Sequence, residues 1–154
     1  MRTGRNRRPA VPRQILVIHG PNLNLLGSRE PELYGQEALT AIDRRMTARA
    51  RRGGVGLTAF QSNHEGALID RVQAAGRESV DAIILNPGGF THSSVSLRDA
   101  LAAVAIPFIE VHVTNIWARE EFRQRSYFSS IAIGCITGLG GRGYDLALEY
   151  FLQA

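Results

Sequence analysis

Three stretches of sequence decide the fold: QILVIHGPN at 14–22, DAIILNPGG at 81–89 and PFIEVHVTN at 107–115. Each contains a short apolar run rich in β-branched residues, and Gly or Pro comes soon after the first two runs. Short apolar runs bounded by such turn residues are typical of buried strands. We therefore predict strands at 14–19, 81–86 and 107–113, and two more of the same kind at 55–62 and 131–137.

Segments with a helical period separate these strands. The clearest runs from 36 to 52, where apolar residues recur every three or four positions and Gly53-Gly54 follows. The loop at 20–35 is predicted to lack regular structure, because it contains Pro21, Gly27 and Pro31. Further helices are predicted at 64–75, 93–104 and 143–153, with a short helical piece at 119–123.

Strands that alternate with helices predict an α/β fold with a parallel sheet covered on both faces. For this chain of 154 residues we expect a flavodoxin-like three-layer sandwich, with a five-stranded sheet in the order 2-1-3-4-5. One domain is predicted at 14–154. Ligands bind such sheets at the carboxyl ends of the strands where the order reverses, here between strands 1 and 3.

The positive charge is concentrated in the first residues. Five of the 18 arginines lie before residue 15 with no acid among them, and the other 13 nearly balance the 14 acids. We therefore predict a flexible basic tail at 1–13 rather than a basic face, and no nucleic-acid partner. Apolar runs of only a few residues are too short for a membrane span, which takes about 20 residues.

Lysine is absent and cysteine occurs once, and each of these facts excludes some functions. The chain has no lysine, which excludes Schiff-base catalysis, a pyridoxal-phosphate lysine and the lysine of a P-loop. Its single cysteine, Cys135, cannot form an internal disulfide, which fits the cytoplasm. In its apolar setting this cysteine is predicted to be buried.

Polar residues follow strands 1, 3 and 4, in the motifs HGPNLN (19–24), NPGGFTHSS (86–94) and EVHVTN (110–115). The predicted order makes these strands neighbours, so we expect their ends to form one pocket. Gly88 and Gly89 would let the backbone approach a ligand or take a positive φ. Thr91 or Ser93 would cap the next helix, whose free N–H groups favour an anion.

Two pairs of side chains could carry proton transfer. Glu110 and His112 lie two residues apart on strand 4 and share a face, and a carboxylate favours the protonated imidazole of a general acid. A purely structural pair is the alternative. Arg29 and Tyr34 lie in a loop flanked by glycines, which suggests a lid whose guanidinium stabilises a phenolate. A tyrosine that only packs is the alternative.

Other signals are set aside. GLGGRG at 138–143 matches a dinucleotide fingerprint, but no later strand with an acid follows it, so we expect a tight turn. The four histidines lack metal-ligand spacing, and one cysteine cannot build a thiolate site, so no metal is expected. No GxSxG elbow is present, which disfavours a serine hydrolase.

Four long motifs resemble type II 3-dehydroquinate dehydratase across residues 14–153. They are HGPNLNLLGSREPELYG (19–35), FQSNHEGALIDRVQ (60–73), NPGGFTHSSVSLRDAL (86–101) and EVHVTNIWAREEFRQRSYFSSIAIGCITGLGGRGYDLAL (110–148). The resemblance implies reversible anti elimination of water from 3-dehydroquinate, through an enolate, to 3-dehydroshikimate. It implies no cofactor. The step would serve aromatic biosynthesis or quinate breakdown, and the absent lysine agrees with it because type I enzymes use a lysine imine.

The resemblance also implies catalytic roles. Tyr34 would remove the proton next to the ketone, with Arg29 favouring its phenolate. Asn22 would help to stabilise the enolate oxygen. His112, oriented by Glu110, would protonate the leaving hydroxyl.

For binding, the resemblance implies that Asn86, the Val113–Thr114 backbone and the Thr114 hydroxyl hold the substrate carboxylate. His92 and Arg123 would bind ring hydroxyls.

The resemblance places Arg119 at the mouth of the site, and Gly88 and Gly89 are expected to bind the substrate. Asp99 would reach a neighbouring subunit's site in a dodecamer built from trimers. Four positions depart from the usual pattern without removing a reacting group: Gly89-Phe90 for Ala-Tyr, Thr114 for serine and Ser130 for proline.

Two other classes stay open at this point. A binding or assembly protein with a degenerate site would be expected to lack Arg29, Tyr34 or His112, and all three are present. A flavin-binding or receiver domain shares the predicted strand order. It would need a phosphate-binding loop or an acidic cluster after strand 1, where this chain has His-Gly-Pro-Asn.

Overall fold

The computed structural model describes residues 10–153 and contains one parallel five-stranded sheet in the order β2-β1-β3-β4-β5. The predicted flavodoxin-like order is therefore confirmed. The strands are β1 (Gln14–His19), β2 (Gly56–Gln61), β3 (Ala82–Asn86), β4 (Phe108–His112) and β5 (Gly134–Thr137).

Five helices accompany the sheet in the described part of the chain: α1 (Pro31–Tyr34), α2 (Leu39–Arg52), α3 (Glu65–Arg77), α4 (Val95–Val104) and α5 (Arg142–Leu152). Period-two alternation in the strands sorts the core into two layers. Ile15 and Val17 of β1 pack with α2 and α5, whereas Leu16 and Ile18 pack with α3 and α4. No helix among residues 10–153 is long and apolar enough to cross a membrane.

Most of the predicted basic tail, residues 1–9, lies outside the described residues. Arg13, which that prediction included, is held against the sheet. Its backbone N–H donates to Asp81 at 2.7 Å, and its carbonyl accepts from the N–H of Gly56 at 2.9 Å. Arg13 is thus tied through its backbone to the start of the sheet.

The loop at 20–35 contains regular structure, so the prediction for it was wrong. A 3₁₀ turn spans Leu23–Leu25, and α1 spans Pro31–Tyr34. Pro31 occupies the first position of α1, where its missing N–H has no helical partner to lose and its fixed φ suits the helix. The proline therefore starts a helical turn here. Gly35, at φ 82°, ends it.

Strand β5 is shorter than predicted and lies at the edge of the sheet. It begins at Gly134 because the N–H groups of Ile131 and Ala132 donate to the Phe128 carbonyl in a turn. Cys135 is exposed on this edge, so the prediction that it is buried was wrong. As an edge strand, β5 has a neighbouring strand on one side only.

The cap of α4 also differs from the prediction. Ser94 is the N-cap, and its hydroxyl accepts from the N–H of Leu97 at 3.0 Å. Thr91 instead donates to the Gly88 carbonyl at 2.6 Å, and Ser93 is exposed. A 3₁₀ turn over Gly88–His92 precedes α4, which therefore begins at Val95, later in the chain than the predicted start at residue 93.

We predict that Ser94→Ala lowers the free energy of unfolding by about 1 kcal/mol or more, because a helix N–H loses its acceptor. Ser93→Ala is the matched control and should change it by less than about 0.5 kcal/mol. Urea unfolding measures both. Equal losses in the two variants would contradict the assignment of the cap.

Candidate active site

A cavity of about 190 Å³ lies at the carboxyl ends of β1, β3 and β4. Its lining includes two residues that were not predicted for the site, Leu23 and Ile116. Of the residues predicted for the site, all but Glu110 and Asp99 line it: Asn22, Arg29, Tyr34, Asn86, Gly88, Gly89, His92, His112, Val113, Thr114, Arg119 and Arg123. The reversal of strand order therefore brings these motifs to one place.

Two glycines let the ends of β1 and β3 approach each other. A Cβ on Gly20 would lie 2.2 Å from the Pro87 carbonyl oxygen, and one on Gly88 would lie 2.9 Å from that of Pro21. Gly88 also has φ +56°, as its predicted role requires. A Cβ on Gly89 would meet open space, so that glycine has no comparable steric reason.

Asn22 follows β1 in a left-handed conformation, at φ 66°. Its backbone N–H donates to the Asn63 side chain at 2.9 Å, and Gln61 donates to the Gly20 carbonyl at 3.2 Å. The end of β2 thus supports the loop that carries Asn22. Asn63 was not among the predicted site residues, although its place directly after a predicted strand was the available signal.

Glu110 is fully buried. Its Oε1 lies 2.6 Å from Nε2 of His112. Ser126 and Ser129 also donate to its two oxygens, each at 2.6 Å. Burial alone would raise the pKa of this carboxyl, but the bonds from His112 and the two serines outweigh it and hold the pKa below its usual range. Glu110 is therefore a carboxylate behind the cavity.

This arrangement fixes the ring of His112. Since Nε2 faces the carboxylate, Nδ1 is the ring atom left for a ligand in the cavity. The two serines had not been predicted. A buried acid requires donors, but nothing in the sequence said that the hydroxyls at 126 and 129 would supply them.

Tyr34 is held by a different arginine from the one predicted. Arg119 donates from Nη1 to the Tyr34 hydroxyl at 2.9 Å, whereas Arg29 lies 3.7 Å from the Glu30 carboxylate. The guanidinium carbons of Arg29 and Arg119 each lie 5.4 Å from the centre of the Tyr34 ring. Two cations therefore flank the phenol, but only Arg119 donates a hydrogen bond to its oxygen.

His92 presents an acceptor to the cavity. Its Nδ1 donates to the Arg125 carbonyl at 2.7 Å, which leaves Nε2 as the unprotonated nitrogen of the neutral ring. Burial lowers the pKa of His92, and the neighbouring Arg123 and His112 act in the same direction. A neutral ring can accept a hydrogen bond from a ligand hydroxyl.

The cavity favours an anion. Its lining includes Arg29, Arg119 and Arg123 and no carboxylate. Asp99, in contrast, is exposed on α4 and does not line the cavity of its own chain.

Three potential metal ligands meet next to the cavity: ligand atoms of Glu110, His112 and Cys135 lie within 4.8 Å of one another. The carboxylate oxygens already accept three hydrogen bonds. Cys135 is exposed as a whole residue, but partial burial of its thiol, followed by the charge of Glu110, raises the pKa of this thiol to about 11. The oxygens of Glu110 are thus already engaged by three donors.

Comparison with known proteins relates this cavity to one family. A family model described as dehydroquinase class II matches residues 13–152. A 3-dehydroquinate dehydratase from Herminiimonas arsenicoxydans is 62% identical over 143 residues, which cover 93% of this chain and 99% of that one. Its counterpart from Janthinobacterium sp. (strain Marseille) is 60% identical over the same shares of the two chains.

The fold is shared with solved structures as well. The type II dehydroquinase from Butyrivibrio crossotus DSM 2876 superposes with a TM-score of 0.88 at 43% identity, covering 92% of this chain and 97% of that one.

The lowered pKa of Glu110 predicts a pH-dependent loss of stability. In Glu110→Gln the buried charge is absent, so wild type should be more stable by about 1–3 kcal/mol near neutral pH. That difference should be complete above the ordinary carboxyl value of 4.5 and should shrink as the pH falls below it. Urea unfolding between about pH 7 and pH 3 measures the effect.

Glu32→Gln, which removes an exposed carboxylate on α1, is the control. Its difference in stability from wild type should not change with pH in this way. A difference for Glu110→Gln that stays constant over this range would contradict the ionised, bonded carboxylate.

Proposed function

The chain belongs to the dehydroquinase class II family, and we propose that it converts 3-dehydroquinate reversibly to 3-dehydroshikimate and water in this cavity. One observation carries the proposal: Tyr34 and His112 line the same cavity, Tyr34 beside a guanidinium group and His112 beside a carboxylate. Arg119 donates to the phenol, and Glu110 binds the imidazole. The enzyme is thus a carbon–oxygen hydro-lyase.

Tyr34 is proposed as the base. A proton next to a ketone becomes removable when its electron pair can move onto the ketone oxygen as an enolate. The guanidinium groups of Arg29 and Arg119 lie beside the Tyr34 ring, and Arg119 donates a hydrogen bond to its oxygen, so positive charge faces the atom that would take up this proton. The role predicted for Arg29 is therefore shared with Arg119, the nearer donor.

Asn22 is proposed to stabilise the enolate. Negative charge develops on the ketone oxygen as the proton leaves, and an amide N–H aimed at that oxygen lowers the barrier. What supports this role is that Asn22 lines the cavity and that Asn63 holds its backbone in place.

His112 is proposed as the acid. As the enolate collapses, its electrons form the carbon–carbon double bond and the bond to the hydroxyl breaks, so a proton from the imidazolium releases water. The carboxylate of Glu110 holds this ring at Nε2, so that Nδ1 faces the cavity in which the leaving hydroxyl would lie. At the end Tyr34 is protonated and His112 is neutral, and exchange with solvent restores both.

Binding is proposed to use the remaining cavity residues. Asn86, the backbone at Val113–Thr114 and the Thr114 hydroxyl would hold the substrate carboxylate, and Thr114 keeps the hydroxyl that this role needs. His92, with Nε2 as acceptor, and Arg123 would bind ring hydroxyls. The three arginines of the lining support an anionic substrate.

The protein is proposed to be cytoplasmic and to assemble as a dodecamer made of four trimers. In support, Asp99 is exposed outside its own cavity, where it can serve the cavity of a neighbour. The exposed edge of β5 and Trp117, whose exposure is 61%, are further surfaces that a neighbouring subunit could cover.

Replacement of Tyr34 tests the proposed base. Tyr34→Phe should reduce kcat by about 10³-fold and leave KM nearly unchanged, because only the proton acceptor is removed. The ultraviolet absorbance of the conjugated product follows the reaction. Tyr150→Phe, on the exposed side of α5, is the control and should match wild type. A kcat within tenfold of wild type would rule out Tyr34 as the base.

The absence of lysine predicts the outcome of a trapping experiment. Borohydride added during turnover should leave the protein mass unchanged, since the chain has no lysine to form an imine with the ketone. Mass spectrometry of the intact chain detects the adduct. Covalent capture of substrate would contradict the enolate mechanism.

A further inference from the structure

A chain of four polar side chains runs from the cavity to Asp43 on α2. Asn86 Nδ2 lies 2.9 Å from the Tyr144 hydroxyl, which lies 2.9 Å from His19 Nδ1, and His19 Nε2 lies 2.8 Å from Asp43 Oδ1. Asn86, Tyr144 and His19 are buried, and the Asp43 side chain is 27% exposed. None of the steps proposed above uses His19, Tyr144 or Asp43.

The hydrogen bonds of this chain have a single direction. The N–H of Gly88 donates to Asn86 Oδ1 at 3.1 Å, so the amide nitrogen of Asn86 faces Tyr144. An amide nitrogen only donates, and the Tyr144 oxygen therefore accepts there. The hydroxyl hydrogen of Tyr144 then has His19 Nδ1 as its acceptor, and Nε2 carries the ring hydrogen to Asp43.

This direction fixes the amide of Asn86. Rotating the amide by half a turn would place its nitrogen against the N–H of Gly88 and its oxygen against a hydroxyl already committed to His19. Both bonds would be lost inside the protein, where unpaired polar groups are costly. One amide hydrogen binds Tyr144, and the other remains available to a ligand in the cavity that Asn86 lines.

We propose that Tyr144, supported by His19 and Asp43, is a positioning residue that aims the free N–H of Asn86 at the substrate carboxylate. The proposal rests on the proposed function, which assigns the carboxylate to Asn86. It gives the buried chain a task in substrate affinity in addition to its packing.

The state of Tyr144 agrees with this task. Burial is the main reason why the pKa of Tyr144 lies far above its ordinary value, so the phenol keeps its hydrogen near neutral pH. A phenol that keeps its hydrogen can accept from Asn86 and donate to His19 at the same time.

Tyr144→Phe is the direct test, because it keeps the ring in the core and removes only the hydroxyl. The KM for 3-dehydroquinate should rise about tenfold, the equivalent of one hydrogen bond to a charged group, while kcat stays within about threefold of wild type. A contact made equally in the ground state and the transition state changes KM alone. Tyr150→Phe on the same helix is the matched control.

A second variant leaves the core intact. Asp43→Ala removes the acceptor that orients His19, and the KM should rise about threefold with unchanged kcat. Asp70→Ala, an exposed acid on α3, is its control. A purely structural chain would lower the melting temperature of both variants and leave the KM of the folded protein unchanged. A KM within twofold of wild type in both variants would overturn the proposal.

A measurement without turnover separates this proposal from the proposed function. Quinate is a hydroxylated ring carboxylate, and calorimetry measures its dissociation constant directly. Tyr144→Phe should weaken quinate binding about tenfold, in line with the change in KM. Wild type that binds quinate but produces no 3-dehydroshikimate would refute only the function, whereas equal binding by wild type and Tyr144→Phe would refute the positioning role.

Discussion

The buried carboxylate of Glu110 is the constraint on which the rest of the site depends. A charge in the centre of a parallel sheet is tolerated only when donors surround it. His112, Ser126 and Ser129 are those donors, so the loop before β5 has to fold back over the end of β4. The need to satisfy this one charge therefore links the packing of the loop to the orientation of the ring that faces the cavity.

Much of the architecture could be predicted because it follows from local sequence periods. Period-two and helical patterns specify which segments are strands and helices, and the end of β1 distinguishes this chain from flavin-binding domains with the same strand order. The helical turn that begins at Pro31 and the capping role of Ser94 escaped prediction. Both depend on the exact residue at which a helix begins. Several neighbouring residues could have served as that start, and the sequence does not distinguish between them.

The partners within the site were harder to predict than its members. Arg29 lies close to Tyr34 in sequence, yet Arg119, which is 85 residues away, donates to the phenol. Cys135 has an apolar sequence context but lies on an edge strand. In both cases the deciding quantity is the path of the chain between distant segments. Sequence motifs identify which residues gather at the ends of the strands, and tertiary packing decides which of them touch.

The alternation of side chains along the strands divides the polar groups between two layers. Asn86 and His19 point into the layer of α2 and α5, where they bond with Tyr144 and Asp43. Glu110 and His112 alternate with Ile109 and Val111, which belong to that layer, so they point towards α3 and α4. The network proposed to hold the carboxylate and the network that orients the acid are thus separated by the sheet. They meet only at its carboxyl edge, so either can be altered while the packing of the other is preserved.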